Sequence, residues 1–279
     1  MLGWSKSTNL LTKEVHTPQL SGLVECLLVI HLLISSLFCR IKLMTYIIAG
    51  ATGTTGRAIA TELARTYKVH LIGRDESALT ELANNLNSSY SLIDIENPIP
   101  VKEFQQTIEI DEIKGLVNCI GSIYLRPLHG STIEDFNNVV NTNLFSSFYL
   151  LSAFARRMKN GSAIFFSSVA ATKGLSNHEL ISAAKAGIEG MARSAAASYA
   201  KDNLRVNVIA PSIMDTNMSA KILSSEAAVE MSKSMHPIPK IGDISDILPV
   251  VTWLLSSESK WITGQTIHVD GGFSTLKPR

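Results

Sequence analysis

Tyr46-Ile47-Ile48-Ala49-Gly50-Ala51-Thr52-Gly53-Thr54-Thr55-Gly56 is the stretch that decides the fold. Tyr46 to Ala49 is apolar and β-prone without polar alternation, the pattern of a strand buried on both faces. Helical periodicity resumes over residues 57–66 through Ile59, Leu63 and Ala64. Between the two, the chain must turn tightly at Gly50, and the backbone near Gly53 and Gly56 must stay clear of side chains. A helix N-terminus there presents N–H groups and a positive dipole end to a pyrophosphate. Gly50, Thr52, Gly53, Thr54, Thr55 and Gly56 are therefore expected to hold a dinucleotide. Three glycines alone would fit a plain β-to-α loop equally well, so the sequence on either side decides.

Outward from this turn, short apolar runs alternate with helical stretches. Strands are expected at 69–72, 90–93, 115–117, 163–166, 204–209 and 266–269. Helices are expected at 75–86, 132–159 (bent near Asn141), 178–201 and 244–255. Such alternation predicts an α/β domain: a single Rossmann-type, doubly wound parallel sheet of about seven strands with helices on both faces. No repeat, low-complexity tract or linker interrupts residues 44–279.

The second strand ends Leu71-Ile72-Gly73-Arg74. A dinucleotide site for NAD usually places an acid here for the ribose hydroxyls. Gly73 holds that place, and the guanidinium of Arg74 suits a 2′-phosphate. NADP(H) is preferred over NAD(H), with Asp75 leaving NAD open.

The chain has 279 residues, 46% of them hydrophobic, and carries 25 basic against 24 acidic residues. A net charge of +1 without a basic, aromatic-interleaved stripe gives no sign of nucleic-acid binding. Cys26, Cys39 and Cys119 have no metal-ligand spacing, no metal site is expected, and an odd count argues against a disulfide framework. A reducing cytoplasm is the simplest compartment.

Residues 1–43 differ from the rest. Residues 20–39, LSGLVECLLVIHLLISSLFC, are long enough to span a bilayer. Glu25 and His31 are unfavourable at that depth, and no small-residue cleavage site follows. The extension is expected to be upstream sequence ahead of a start at Met44. The alternative is a weak membrane anchor with the domain held in the cytosol by Arg40 and Lys42.

From Thr45 to Leu276 the order of features resembles the short-chain dehydrogenase/reductase family. AGATGTTG is similar to its opening motif, with Thr54 where a middle glycine is commonest. Asp94 resembles the acid that bonds the adenine. Asn118-Cys119-Ile120-Gly121 resembles the Asn-Asn-Ala-Gly motif, placing Asn118 and Gly121 at the cofactor. Asn143 matches the active-site asparagine, Ser168 the catalytic serine and Lys185 the catalytic lysine, which also bonds the nicotinamide ribose. Pro211-Ser212 resembles the family's Pro-Gly, and Thr216 the threonine at the nicotinamide amide. The tail ITGQTIHVDGGFS is similar to the family's closing segment.

The resemblance implies an NADP-dependent oxidoreductase acting on a small carbonyl or alcohol substrate. It also implies a homodimer or homotetramer paired across a two-fold interface through the 178–201 helix and the preceding long helix. There Ala183, Ala184, Ala186, Gly187, Ala195, Ala196, Ala197 and Ser198 permit close packing, and Leu180, Ile188 and Met191 serve core or contact. Residues 214–239 would form a flap whose Met218, Ile222, Leu223 and Met231 suit a hydrophobic substrate. His236 and His268 read as structural.

One position departs from the family. Its Tyr-x-x-x-Lys motif puts a tyrosine four residues before Lys185, and Ile181 stands there. The phenol normally protonates the reacting oxygen, and general acid catalysis is worth ~10²–10⁴ in rate. Three readings follow. Another group supplies the proton: Ser168 polarises while Lys185 feeds a water, or His178, one helical turn away, stands in. The substrate needs no phenol, as with an activated double bond. Or the protein binds NADP but is catalytically silent, in a regulatory or assembly role.

Overall fold

Buried, apolar strands set side by side with helices between them leave one arrangement: a parallel sheet covered on both faces. The computed structural model describes residue 30, residues 44–95 and residues 97–277. The reading of residues 1–43 as a mis-start or anchor, with Cys26 and Cys39, thus lies outside the described residues, as does any structure for Glu96. Among the described residues no helix is long and apolar enough to cross a membrane.

The strands are β1 (Met44–Ala49), β2 (Lys68–Gly73), β3 (Ser89–Leu92), β4 (Glu112–Asn118), β5 (Ser162–Phe166), β6 (Arg205–Pro211) and β7 (Thr266–Val269). They form one seven-stranded sheet in the order β3-β2-β1-β4-β5-β6-β7, every pair parallel. Order reverses between β1 and β4, opening a crevice at their C-terminal ends where ligands bind in such sheets.

Helices α1 (Thr54–Ala64), α2 (Glu76–Leu86) and α8 (Ile244–Leu255) join the core on one face; α5 (Ser146–Phe154) and α6 (Glu179–Tyr199) join it on the other. Successive residues of β1 divide between the two cores. Ile47 packs with Leu150, Phe154 and Ile188, and Ile48 with Ile59, Leu63, Ile247 and Val251. Both are fully buried, and each such side chain stabilises by about 1.5–3 kcal/mol. That is why the strand lacks polar alternation.

The bend expected near Asn141 is a π-turn, Asn141–Phe145, between α4 (Ile133–Val140) and α5. The Asn143 amide donates to Val139 O (3.0 Å), and Ser146 and Ser147 hydroxyls both donate to Asn143 O (3.2 Å each). Side chains occupying ladder carbonyls bend a helix. Thr132 caps α4 through a reciprocal capping box with Asp135.

Two helices carry weaker sequence signals. The seven-residue α3 (Val101–Thr107) buries only Phe104, and Gln105 anchors it by donating to Ala153 O at 2.7 Å. In α7 (Glu226–Ser234), within the flap region, only Ser232 is buried.

At the sheet edge, buried His70 on β2 bonds the Ser89 and Ser91 hydroxyls of β3 through Nδ1 (2.8 Å) and Nε2 (3.0 Å). Burial pushes its imidazole down to about 4.

Candidate active site

Gly50 leaves β1 with φ +71°, and its N–H donates to Ile72 O at 2.9 Å. A Cβ there would stand 2.8 Å from Ile120 N and 2.9 Å from Cys119 C. The turns after β1 and β4 are thus in backbone contact, tied also by Cys119 N–H to Ala49 O at 2.8 Å. A Cβ on Gly56 would stand 2.2 Å from Gly50 O. Gly53 caps α1 in an extended conformation without a side-chain hydrogen bond. The eleven-residue α1 therefore meets the crevice with an N-terminus unobstructed by any capping side chain, a cradle that fits a pyrophosphate.

Around this turn lies a cavity of about 360 Å³. It brings together Gly53, Thr54, Thr55, Gly121, Ser168, Ile181, Lys185, Pro211 and Thr216 of the sequence-predicted residues. The flap enters it through Met214, Thr216, Asn217, Met218 and Ser219, and Asn217 N–H reaches the Thr54 hydroxyl at 3.4 Å. Of the apolar flap residues expected at a substrate, Met218 lines the cavity while Ile222, Leu223 and Met231 do not.

Lys185 rises from α6 and donates from Nζ to Phe166 O at 2.9 Å. Burial brings its ammonium down to about 8, opposed by neighbouring Cys119. Burial likewise pushes the Cys119 thiol up to about 12, against the pull of Lys185. A Cβ on Gly121 would meet Asn143 Oδ1 at 3.1 Å and Lys185 Nζ at 3.4 Å, so glycine is what lets the loop pass this pair.

Asn143 is fully buried behind the lining. It accepts from Ser122 N–H (3.1 Å) and donates to Ser122 Oγ (3.0 Å), fixing the turn after Gly121. Asn118 plays a similar part. Its amide donates to Ser146 and Ser147, and its carbonyl accepts from Ile120 N–H at 3.0 Å. Both asparagines spend these bonds inside the protein and shape the loop.

Ser168 follows β5 and accepts from Ala170 N–H at 3.2 Å, which leaves its own O–H available to donate. Ser167 turns the other way, onto buried Glu189 (2.7 Å) and Lys185 O. Ile181 is 5% exposed and packs with Val139, Leu180 and Ala184, with Tyr124 alongside.

His178 does not line the cavity. It is the residue preceding α6, and its Nδ1 donates to Ser176 O at 2.7 Å. Thr52 packs behind the turn near Gly73. Arg74, exposed, follows β2 and Asp94 follows β3, both on the β3 side of the crevice. Asp94 accepts from Asn97 at 3.0 Å. Asp75, the acid that left NAD open, caps α2 by accepting from Ala78 N–H.

Sequence reasoning missed Ser122 and Ser219, and placed Ser212 only as the residue standing at the glycine of the family's Pro-Gly. Ser212 donates to Nε2 of buried His236 (2.7 Å), whose Nδ1 donates to Ser232 O (2.7 Å), tying the loop after β6 to α7. Hydroxyls on loops carry no periodic signal, so only the fold could bring them forward.

A glycine-cradled crevice beside a serine and a buried lysine, on a seven-stranded parallel sheet, defines a dinucleotide-binding oxidoreductase domain. The chain belongs to the short-chain dehydrogenase/reductase family, with residues 50–274 matching the family model described as enoyl-(acyl carrier protein) reductase. A chloroplastic tropinone reductase homolog of Arabidopsis thaliana is 31% identical over 83% of this chain and 76% of its own length. The 3-oxoacyl-[acyl-carrier-protein] reductase FabG of Buchnera aphidicola is also 31% identical, over 81% of this chain and 95% of its own. Among solved structures, a short-chain type dehydrogenase/reductase from Mycobacterium ulcerans superposes with a TM-score of 0.78 at 25% identity, covering 84% of this chain and 91% of that one.

Proposed function

We propose that this protein binds NADP(H) and transfers hydride between the nicotinamide and a small, apolar carbonyl or alcohol substrate. The observation that carries this reading is the convergence of the glycine turn, Ser168 and Lys185 on one cavity. When bound, the cofactor supplies or accepts the hydride. The N-terminus of α1 and Gly50, Gly53 and Gly56 hold the pyrophosphate, while Arg74 stands at the adenosine end to meet a 2′-phosphate. Asp75 is engaged as a helix cap, which supports NADP over NAD. Asp94 bonds the adenine, Lys185 the nicotinamide ribose, and Thr216 the nicotinamide amide. Thr52, Thr54, Thr55, Asn118, Gly121 and Pro211 shape the pocket around them. The Ser168 hydroxyl donates to the substrate oxygen, and Asn143 holds the Gly121–Ser122 turn behind Lys185.

The enzyme works in the cytoplasm as a homodimer or homotetramer. Exposed Phe148, Ala183, Ala186 and Ala197 support pairing of α5 and α6 with a second copy; Ala184, Ala195 and Ala196 instead pack inward.

NADPH carrying deuterium at the transferable C4 position, incubated with a panel of apolar aldehydes and ketones, tests the reaction. Deuterium in the product is the expected result. The burial of Ile181 in an apolar cluster favours a second reading, a silent NADP-binding protein. Tight NADPH binding without deuterium transfer to any acceptor would establish that reading and overturn ours.

A further inference from the structure

We infer that Ser212 and His236 deliver the proton to the substrate oxygen, Ser212 by direct contact and His236 by recharging the Ser212 hydroxyl. The inference rests on the reductase reading above. A carbonyl that takes a hydride leaves its oxygen in need of a proton, and the hydrocarbon side chain of Ile181 brings none.

Ser212 follows β6, where its N–H donates to Val269 O at 3.3 Å. It stands at the glycine of the family's Pro-Gly, so its hydroxyl is an addition to that turn. The residue lines the active cavity together with Ser168 and Lys185. It also lines a second cavity, of about 140 Å³, whose wall includes His236. Ser212, Ile213 and Met214 are shared by the two linings, and of these Ser212 has the side chain that exchanges protons.

His236 is 4% exposed and is held at three points. Nδ1 lies 2.7 Å from Ser232 O on α7, and Nε2 lies 2.7 Å from Ser212 Oγ. The ring stands beside Phe273, with centroids 5.1 Å apart. Ser232 O is a carbonyl that can only accept, so Nδ1 carries a hydrogen in either charge state. Nε2 accepts from Ser212 when the ring is neutral and donates to it when the ring is protonated. Both forms satisfy both nitrogens, because a hydroxyl can reverse its role. A proton carrier requires that property, and histidine is the side chain most used for such transfers. The charged groups around the second cavity are Lys240, Asp243, Asp246 and Asp270. Lys240 pairs with Asp243 (3.6 Å) and Asp246 (2.7 Å), and Asp270 accepts from the Gly272 and Ser274 N–H groups (2.9 Å each).

Hydride adds to the carbonyl carbon, and the C=O π pair moves to oxygen. That oxygen takes the Ser212 hydroxyl hydrogen, and Ser212 Oγ takes the hydrogen from Nε2 of protonated His236. The ring is left neutral, with its remaining hydrogen on Nδ1 toward Ser232 O. When the alcohol leaves, a proton from water entering the cavity recharges the ring through the same hydroxyl. Ser168 donates to the second lone pair of the substrate oxygen. Ser212 is thus the catalytic group, and His236 acts through it.

Single-turnover hydride transfer from NADPH to benzaldehyde or cyclohexanone, whichever reacts faster, tests the pair in the full chain. Ser212→Gly restores the family's residue. His236→Gln keeps an amide within reach of Ser212 that cannot carry the proton. Each should slow transfer by ~10²–10⁴ while NADPH affinity holds. In an Ile181→Tyr background a phenol supplies the proton, and the same two substitutions should cost at least about tenfold less. A merely structural histidine would cost the same in both backgrounds. NMR of the cofactor-free protein with isotope-labelled histidine should find neutral His236 with its hydrogen on Nδ1. Transfer at the wild-type rate in either variant, equal losses in both backgrounds, or a hydrogen on Nε2 of the neutral ring overturns the inference and leaves the reductase reading standing. No transfer from the wild type to either acceptor or to the wider panel, while NADPH binds, overturns both.

Discussion

Gly56→Ala puts the cofactor cradle to a direct test. The added Cβ would stand 2.2 Å from Gly50 O, 2.8 Å from Gly50 C and 3.0 Å from Ala51 Cα. All three atoms are backbone, so no side chain can rotate away. Restoring contacts toward the ordinary ~3.5 Å requires a displacement on the order of 1 Å. Overpacking of this kind costs about 1–3 kcal/mol, and each kcal/mol lowers the melting temperature of a domain this size by about 2–4 °C. The expected fall is therefore roughly 2–12 °C. Binding should suffer more. The displaced turn opens the N-terminus of α1, and each hydrogen bond lost to a charged phosphate is worth about 1.5–3 kcal/mol. Since ~1.4 kcal/mol is tenfold in affinity, one such loss weakens NADPH binding about 10- to 150-fold. Gly174→Ala, where a Cβ would meet nothing within 4 Å, is the control. Thermal melts and NADPH fluorescence titrations read both quantities. A Gly56→Ala protein that melts and binds NADPH as the wild type does would refute the assignment of this turn.

Protonation gives two further tests. His70 sits near 4 in the folded protein against 6.5 ordinarily, so the unfolded chain binds the extra proton between those values and stability falls as pH drops from 6.5 to 4. The loss should approach roughly 3 kcal/mol, and His70→Gln should flatten it in urea unfolding curves at pH 4 and 7; an unchanged pH dependence would count against the buried neutral imidazole. Lys185, lowered from 10.5 to about 8, works in the alkaline range. Below pH 8 its buried charge destabilises the cofactor-free protein in full, and the cost is relieved as pH rises from 8 to 10.5, by roughly 3 kcal/mol. Lys185→Met should be the more stable protein at pH 7 and should lack that alkaline gain; equal unfolding curves across the range would contradict the desolvated ammonium. Arg74→Ala should raise KM for NADPH by about 10-fold or more, the worth of one charge-assisted contact, and leave KM for NADH nearly unchanged. Equal effects on both cofactors would remove Arg74 from the 2′-phosphate.

The fold was legible because its signals are redundant. Ile47 and Ile48 point to opposite faces yet both are apolar, which only a sheet covered on both sides explains. Periodicity placed α8 at residues 244–255 and β7 at residues 266–269, where both are found. The helix α3 escaped because seven residues burying one phenylalanine make less than two turns of pattern, and its anchor, Gln105 to Ala153 O, spans more than forty residues. The bend in the 132–159 helix was visible as a weak point, but its cause was not. It arises from the Asn143 amide and two serine hydroxyls competing for carbonyls of the helix itself.

The site divides along the same line. Glycines, Ser168 and Lys185 announce themselves by order and spacing, and the cavity gathers most of them. What spacing cannot reveal is how the gaps between them are filled. Asn143 reads as the active-site asparagine and Asn118 as a residue at the cofactor, and the side-chain bonds of both run into the protein, to Ser122, Ser146 and Ser147. Their work is to hold the turn that Gly121 carries past Lys185. Ile181 reads from sequence as a missing acid. In the fold it is also a packed residue, shared between the cavity wall and a cluster with Val139, Leu180 and Ala184. Removing a phenol would otherwise leave a void or a water facing the substrate, and a void of that kind costs stability. The isoleucine closes it. Ile181 and Ser168 thus line one cavity, the first with a packed hydrocarbon side chain and the second with a hydroxyl hydrogen free to donate.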